Sequence, residues 1–250
     1  MMFSIARVRN RVALTVLSGA LAFAPFAKAD LVTNGSFESN TGNGQLAFNT
    51  SVTDWSVPPL EGSYTFLYGP GTADTTGADG EFGNIQLWGP GNGVANGLPA
   101  TSPDGGYYIA QDSAFHQGAI SQTINGLIVG DTYQVSFYWA AAEQAGFTGA
   151  SESQWQVSLG ADTQSTAFVN IPNQGFSGWM QQSFTYTATS TSEVLAFFAN
   201  GTSAPPFALL DGVSMSQLAT PEPGSIALLG TVLVGIGAFA ARRQRARKLQ

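Results

Sequence analysis

The chain has no cysteine, one histidine, and no lysine or arginine anywhere between Asp30 and Thr220. Each absence removes a class of chemistry. Without cysteine there are no disulfides, no thiolate nucleophile and no thiolate ligand for a metal. With His116 as the single imidazole, a Ser-His-Asp, Cys-His or zinc-histidine site has almost no material. Without cations the body has no guanidinium fork or ammonium to hold phosphate or carboxylate ligands. Such a body would be repelled by a nucleic-acid backbone, where affinity comes chiefly from Lys and Arg displacing counterions.

What remains is acidic. Fifteen of the sixteen aspartates and glutamates lie between residues 30 and 220, whereas all nine basic residues are terminal. Such carboxylates stand in water, accept hydrogen bonds or bind external cations, and calcium is the natural oxygen-seeking candidate. Most are expected simply to be solvated. The cluster Asp74, Asp79 and Glu81 lacks the alternating ligand spacing of an EF-hand loop.

The two ends read as addresses. Residues 1–29 combine a basic start (Arg7, Arg9, Arg11), an apolar run over 12–24 and the small-x-small triplet Ala27-Lys28-Ala29. This is a signal peptide for the Sec route, with signal peptidase cutting between Ala29 and Asp30; the run is short for an uncleaved anchor. Residues 225–241 are apolar and uncharged for 17 residues, follow Pro221-Glu222-Pro223, and run directly into Arg242, Arg243, Arg245, Arg247 and Lys248. A buried soluble helix is the bland alternative, but the abrupt charge boundary predicts a membrane helix with its C-terminus cytoplasmic. The expected organisation is therefore a signal peptide (1–29), an extracellular body (30–220) and a membrane-inserting tail (221–250) whose basic end is 242–250.

The tail resembles the PEP-CTERM sorting signal of exosortase substrates in Gram-negative bacteria, a signature that also goes by the name ice-binding protein C-terminal domain. That second name says nothing about ice here. The resemblance implies export across the inner membrane, transient anchoring, and recognition at Pro221-Glu222-Pro223 by a membrane-embedded exosortase that releases or re-attaches the body. It also implies association with exopolysaccharide.

The body reads as strands. In "TYQVSFYWA", Tyr133, Val135, Phe137 and Trp139 fall on one face and Gln134, Ser136 and Tyr138 on the other; Trp155, Val157 and Leu159 repeat the pattern. Further strand-like runs start at Tyr64, Ile85, Gly106, Ala119, Met180 and Glu193, between Gly, Asn, Asp and Pro turns. Many short strands and no long amphipathic helix predict an all-β sandwich or barrel. The stretches "LVTNGSFES", "GGYYIAQDSAF", "ISQTINGLIVGDTYQVSFYWA" and "FALLDGVSMSQ" resemble the galactose-binding-like jelly roll of secreted carbohydrate-binding modules. That resemblance implies a structural calcium tying the first strand to the last through Glu38 and Asp211, with Asn34 and carbonyl oxygens completing the shell. The alternative is that these two carboxylates cap turns.

Residues 69–106, rich in Gly, Pro, Asn and Asp, are expected to form long connections around a strand at 85–88, as flexible decoration. For sugar binding, which stacks a pyranose on an aromatic face beside polar groups, the candidates are Trp88 and Tyr108, the latter beside Gln111 and Asp112. Most aromatics are expected in the core. A glycosidase needs two suitably separated carboxylates, but no motif surrounds any pair. The expected function is a non-enzymatic, exported surface or matrix protein; the alternatives are a glycan-recognition or adhesion module and a carboxylate-dependent glycosidase.

Overall fold

A computed structural model describes residues 29–59, 63–115 and 118–218. The predicted signal segment up to Lys28 and the tail from residue 219 lie outside them, as does His116. Among the described residues no helix is long and apolar enough to cross a membrane.

Among the described residues, thirteen strands build the body. They are β1 (Gly44–Gln45), β2 (Thr65–Tyr68), β3 (Ala78–Gly80), β4 (Gly83–Ile85), β5 (Tyr108–Asp112), β6 (Ile120–Asn125), β7 (Thr132–Glu143), β8 (Ser151–Leu159), β9 (Asp162–Ser165), β10 (Val169–Ile171), β11 (Met180–Thr187), β12 (Ser192–Ser203) and β13 (Pro206–Gln217). One sheet has the order β1-β2-β5-β13-β7-β11, the other β10-β8-β12-β6 with β9 beside β8, and β3-β4 is a separate hairpin. Every pairing between strands is antiparallel. From β5 onward the chain repeatedly crosses between the two sheets, which makes the body a jelly-roll β-sandwich.

The period-two pattern chooses the inner faces. Tyr133, Val135, Phe137 and Trp139 of β7 and Trp155, Val157 and Leu159 of β8 all enter the central core. Phe197 of β12 sits among them, with ring centroids 5.1 Å from Phe137, 6.0 Å from Trp155 and 6.3 Å from Trp55. Burial of each such side chain contributes about 1.5–3 kcal/mol. Polar links cross between the sheets as well: Trp155 Nε1 donates to the Leu209 carbonyl at 3.0 Å, and Ala199 N donates to Gln111 Oε1 at 2.7 Å.

The first sheet is buried on both faces at its centre. All five residues of β5 and the first six of β13 are buried, because a second apolar cluster covers the outer face. Phe66, Tyr68, Tyr108, Ala140, Phe207 and Leu209 supply the sheet side of that cluster, and Ala73, Ala78, Ile85, Leu87 and Leu98 supply its cover. The segment 69–106 is therefore a packed third layer, not flexible decoration. Its turns are ordered by asparagine amides that replace missing backbone partners: Asn92 Nδ2 donates to Leu87 O at 2.8 Å, and Asn96 Nδ2 to Trp88 O at 2.7 Å and Gln174 O at 2.9 Å. The expected strand at 85–88 ends at Ile85. Beyond it the backbone turns to the end of β7, where Leu87 forms an isolated bridge with Gln144 and Trp88 N donates to Glu143 O at 3.0 Å.

Candidate functional site

The sugar-binding candidates divide once placed on this frame. Tyr108 is 1 % exposed within the cover cluster, edge-on to Trp179 at 5.5 Å. Burial, then the charges of Asp74 and Asp211, push its phenol well above its ordinary pKa. It is a core residue and presents no platform to solvent. Gln111 is fully buried, donating from Nε2 to Thr65 Oγ1 at 2.8 Å while bridging to the second sheet. The expectation of a Tyr108–Gln111 platform fails because β5 is central in its sheet and covered on both sides. Trp88 is half-buried, and its indole N–H donates to the Phe147 carbonyl at 2.8 Å. It holds a loop in place.

That loop belongs to a cleft of about 470 Å³ at one end of the first sheet. Phe82, Phe115 and Phe147 line it and are 64, 62 and 45 % exposed, against the usual burial of aromatics. Tyr64, Asp112 and Gln144 also line it. Each phenylalanine is presented by a turn. Phe82 is at the tip of the β3–β4 hairpin before Gly83, whose φ of 100° favours glycine. Phe115 follows β5, where Asp112 Oδ1 accepts from Ala114 N at 2.8 Å and Phe115 N at 3.0 Å. Phe147 follows β7, its N–H reaching back to Gln144 O at 3.3 Å.

Asp112 is 2 % exposed yet reaches the cleft lining, and it is the one predicted residue of the β5 group that does. Tyr64 packs 5.9 Å from Phe82, and its pKa is pushed up to about 12 by burial, then by the charges of Asp112 and Glu81. The arrangement offers apolar ring faces around a carboxylate and an amide. Sequence reasoning missed the three phenylalanines, although a signal was present: "GEFG", "SAF" and "AGFTG" each isolate a phenylalanine among turn-forming or small residues, where no strand can bury it.

Glu38 and Asp211 lie at a different place, around the turn 102–107. Glu38 Oε1 accepts from Tyr107 N at 2.7 Å and lies so close to Gly106 that a Cβ there would collide with it. Asp211, fully buried on β13, accepts from Ser102 Oγ and from Gly212 N, the latter at 2.7 Å. Its pKa is raised to about 8, chiefly by burial; the two hydrogen bonds oppose the shift, and the charges of Asp104 and Glu38 add to it. The two predicted carboxylates thus share one electrostatic neighbourhood with Asp104. Both also accept local hydrogen bonds, as the turn-capping alternative holds. Asn34 is less suited to a metal, since its Oδ1 accepts from Ser39 N at 2.9 Å. Among the described residues, no group of three or more acidic, histidine or cysteine side chains is assembled to hold a metal ion. Asp74 and Asp79 accept from Gly91 N at 2.7 Å and Asn84 Nδ2 at 2.8 Å, as loop acceptors do.

Comparison with known proteins separates the tail from the body. Residues 219–245 match the family described as the PEP-CTERM protein-sorting motif. The motif marks an exported chain that is anchored through its C-terminus before exosortase-dependent processing. No match was found among curated proteins. Similar solved structures include the enzymatically active domain of a tailspike protein from bacteriophage CBA120, at 14 % identity and a TM-score of 0.37. The match covers 76 % of this chain but only 21 % of the tailspike chain. A carbohydrate-binding module, TmCBM61 in complex with β-1,4-galactotriose, matches at 15 % identity and a TM-score of 0.39, covering 76 % of this chain and 99 % of the module. The CBM22-1 xylan-binding domain of Paenibacillus barcinonensis Xyn10C matches at 13 % identity and a TM-score of 0.39, covering 79 % of this chain and all of that domain. At this degree of similarity nothing follows about a ligand of this chain.

Proposed function

We propose that this exported, PEP-CTERM-sorted protein is a non-enzymatic surface or matrix component whose jelly-roll body binds glycans at the cleft between Phe82, Phe115 and Phe147. The carrying observation is the exposure of three phenylalanines from three separate turns around one cavity. A pyranose has an apolar CH face that stacks on such rings, while its hydroxyls meet groups such as Gln144 and Asp112. A volume of about 470 Å³ is in the range of small-ligand sites. Asp112 is the single carboxylate among the described lining residues, whereas glycoside hydrolysis ordinarily uses two, which supports binding over catalysis. Exopolysaccharide of the host surface is the proposed partner.

Calcium belongs to the same proposal as a structural ion. Glu38 and Asp211 accept hydrogen bonds from the turn 102–107 and lie in one electrostatic neighbourhood with Asp104, in a body without lysine or arginine. These residues suit a hard, oxygen-seeking cation. Bound there, it would tie the N-terminal segment and that turn to β13.

The test of the glycan reading is a glycan array followed by calorimetry on the processed protein. Saturable binding that Phe82→Ala and Phe115→Ala each weaken by about fivefold, with melting unchanged, is expected from the loss of one stacking face, worth about 1 kcal/mol. Binding that both variants leave intact refutes the assignment of the cleft. Release of reducing sugar, abolished by one carboxylate substitution, refutes the non-enzymatic reading.

A further inference from the structure

An irregularity in β13 opens a second hollow on the first sheet. The ladder with β7 runs in register from Pro206 opposite Glu143 to Asp211 opposite Tyr138, and resumes only at Ser214 opposite Ser136. Gly212 and Val213 bulge between these positions, and a bulge bends its strand and re-aims the side chains around it. Val213 N instead donates to the Gly35 carbonyl at 2.9 Å. Gly212 has a φ of 57°, and a Cβ on it would lie 2.9 Å from Tyr138 Cδ2, so a side chain here would displace the ring.

The bulge floors a groove of about 470 Å³ whose lining includes Tyr138, Gln181, Ser214 and Asp104. Gln181 stands directly across the ladder from Tyr138, where side chains of paired strands are neighbours. Tyr138 is half-buried, and Gln181 and Asp104 are exposed. Among the described residues, no hydrogen bond engages the Tyr138 hydroxyl, the Gln181 amide or the Asp104 carboxylate. One ring beside an unused amide, hydroxyl and carboxylate suits a ligand with an apolar face and many hydroxyls. Phosphate and carboxylate ligands would meet no lysine or arginine there.

We infer that this groove is a second sugar site, taking a neutral pyranose stacked on Tyr138 with its hydroxyls on Gln181 and Asp104, and that the protein is bivalent. This rests on the glycan reading above for the class of ligand and adds a site to it. Tyr138 and the cleft residue Gln144 are six positions apart along β7 and its end, which separates groove from cleft by about 20 Å. One chain then holds two sugar segments at once, as a matrix component that joins polysaccharides must.

The experiment is isothermal titration of the processed protein with short oligomers of glucose, galactose and xylose. Two equivalents of a binding oligomer are expected per chain. Tyr138→Ala should abolish one of them, since the groove has no other ring, while Phe115→Ala weakens the other. If Tyr138→Ala fails to fold, Gln181→Ala, at an exposed position, carries the test and should weaken one equivalent by about fivefold, the worth of one hydrogen bond. Binding of any stoichiometry that the Tyr138 and Gln181 variants leave untouched overturns the inference and leaves the glycan reading standing. A single equivalent that is lost with Tyr138→Ala but indifferent to Phe115→Ala upholds the groove and refutes the cleft. No binding by any of the three oligomers refutes both.

Discussion

Replacing Asp211 by asparagine should remove a loss of stability that the wild type suffers as pH rises. In the native state the carboxyl is fully buried and titrates at about 8, against an ordinary value of 3.8. A raised carboxyl pKa means that the folded protein holds a proton that the unfolded chain has released. The stabilising contribution is therefore complete below about pH 4, declines with rising pH, and is lost by about pH 8. At about 1.4 kcal/mol per pH unit this interval sets an upper bound of roughly 5–6 kcal/mol. Structural relaxation and water entry reduce it, so a loss of a few kcal/mol, or roughly 5–15 °C in melting temperature for a domain of this size, is expected. The substituted amide can keep its oxygen on Gly212 N, so the variant lacks the titration while retaining that bond. Melting should be followed from pH 4 to 8 after chelation. The wild-type curve should fall with pH relative to Asp211→Asn, and calcium should restore the wild type at pH 8 but not the variant. Parallel curves for the two chelated proteins would refute the assignment of a buried, titrating Asp211, and an absent calcium response would remove the metal proposal.

Trypsin should leave the processed body uncut even after denaturation, since residues 30–220 contain no Lys or Arg; intact-mass analysis checks this, and internal fragments would contradict it. Phe197→Ala, at the meeting point of Trp55, Phe137 and Trp155, should cost about 3–5 kcal/mol in chemical denaturation, with a loss below 1 kcal/mol showing that the ring is not central to the core. Deleting the exosortase of the host should retain the full-length protein in the membrane fraction, detected by immunoblot; normal release in that strain would contradict sorting through Pro221-Glu222-Pro223.

The address and the class of fold were legible in the chain alone. Pro221-Glu222-Pro223, the apolar run at 225–241 and the arginines after it are local features read in order, and they match a sorting motif over residues 219–245. Strand faces were equally local: the alternation in β7 and β8 names their buried residues because a half-covered strand has a period of two. What lies over the other face depends on packing between distant segments. Tyr108 and Gln111 belong to a strand buried on both sides, where alternation carries no information, and the layer that buries it comes from the Gly- and Asn-rich segment 69–98. The cleft was hidden for a related reason. Tyr64, Phe82, Asp112, Phe115, Gln144 and Phe147 come from four stretches of the chain, and their convergence depends on how the cover layer and the strand ends pack across the sheet. Turn composition marks each phenylalanine as unburied by its own neighbours, but the meeting of three such turns around one carboxylate is a property of long-range contacts alone.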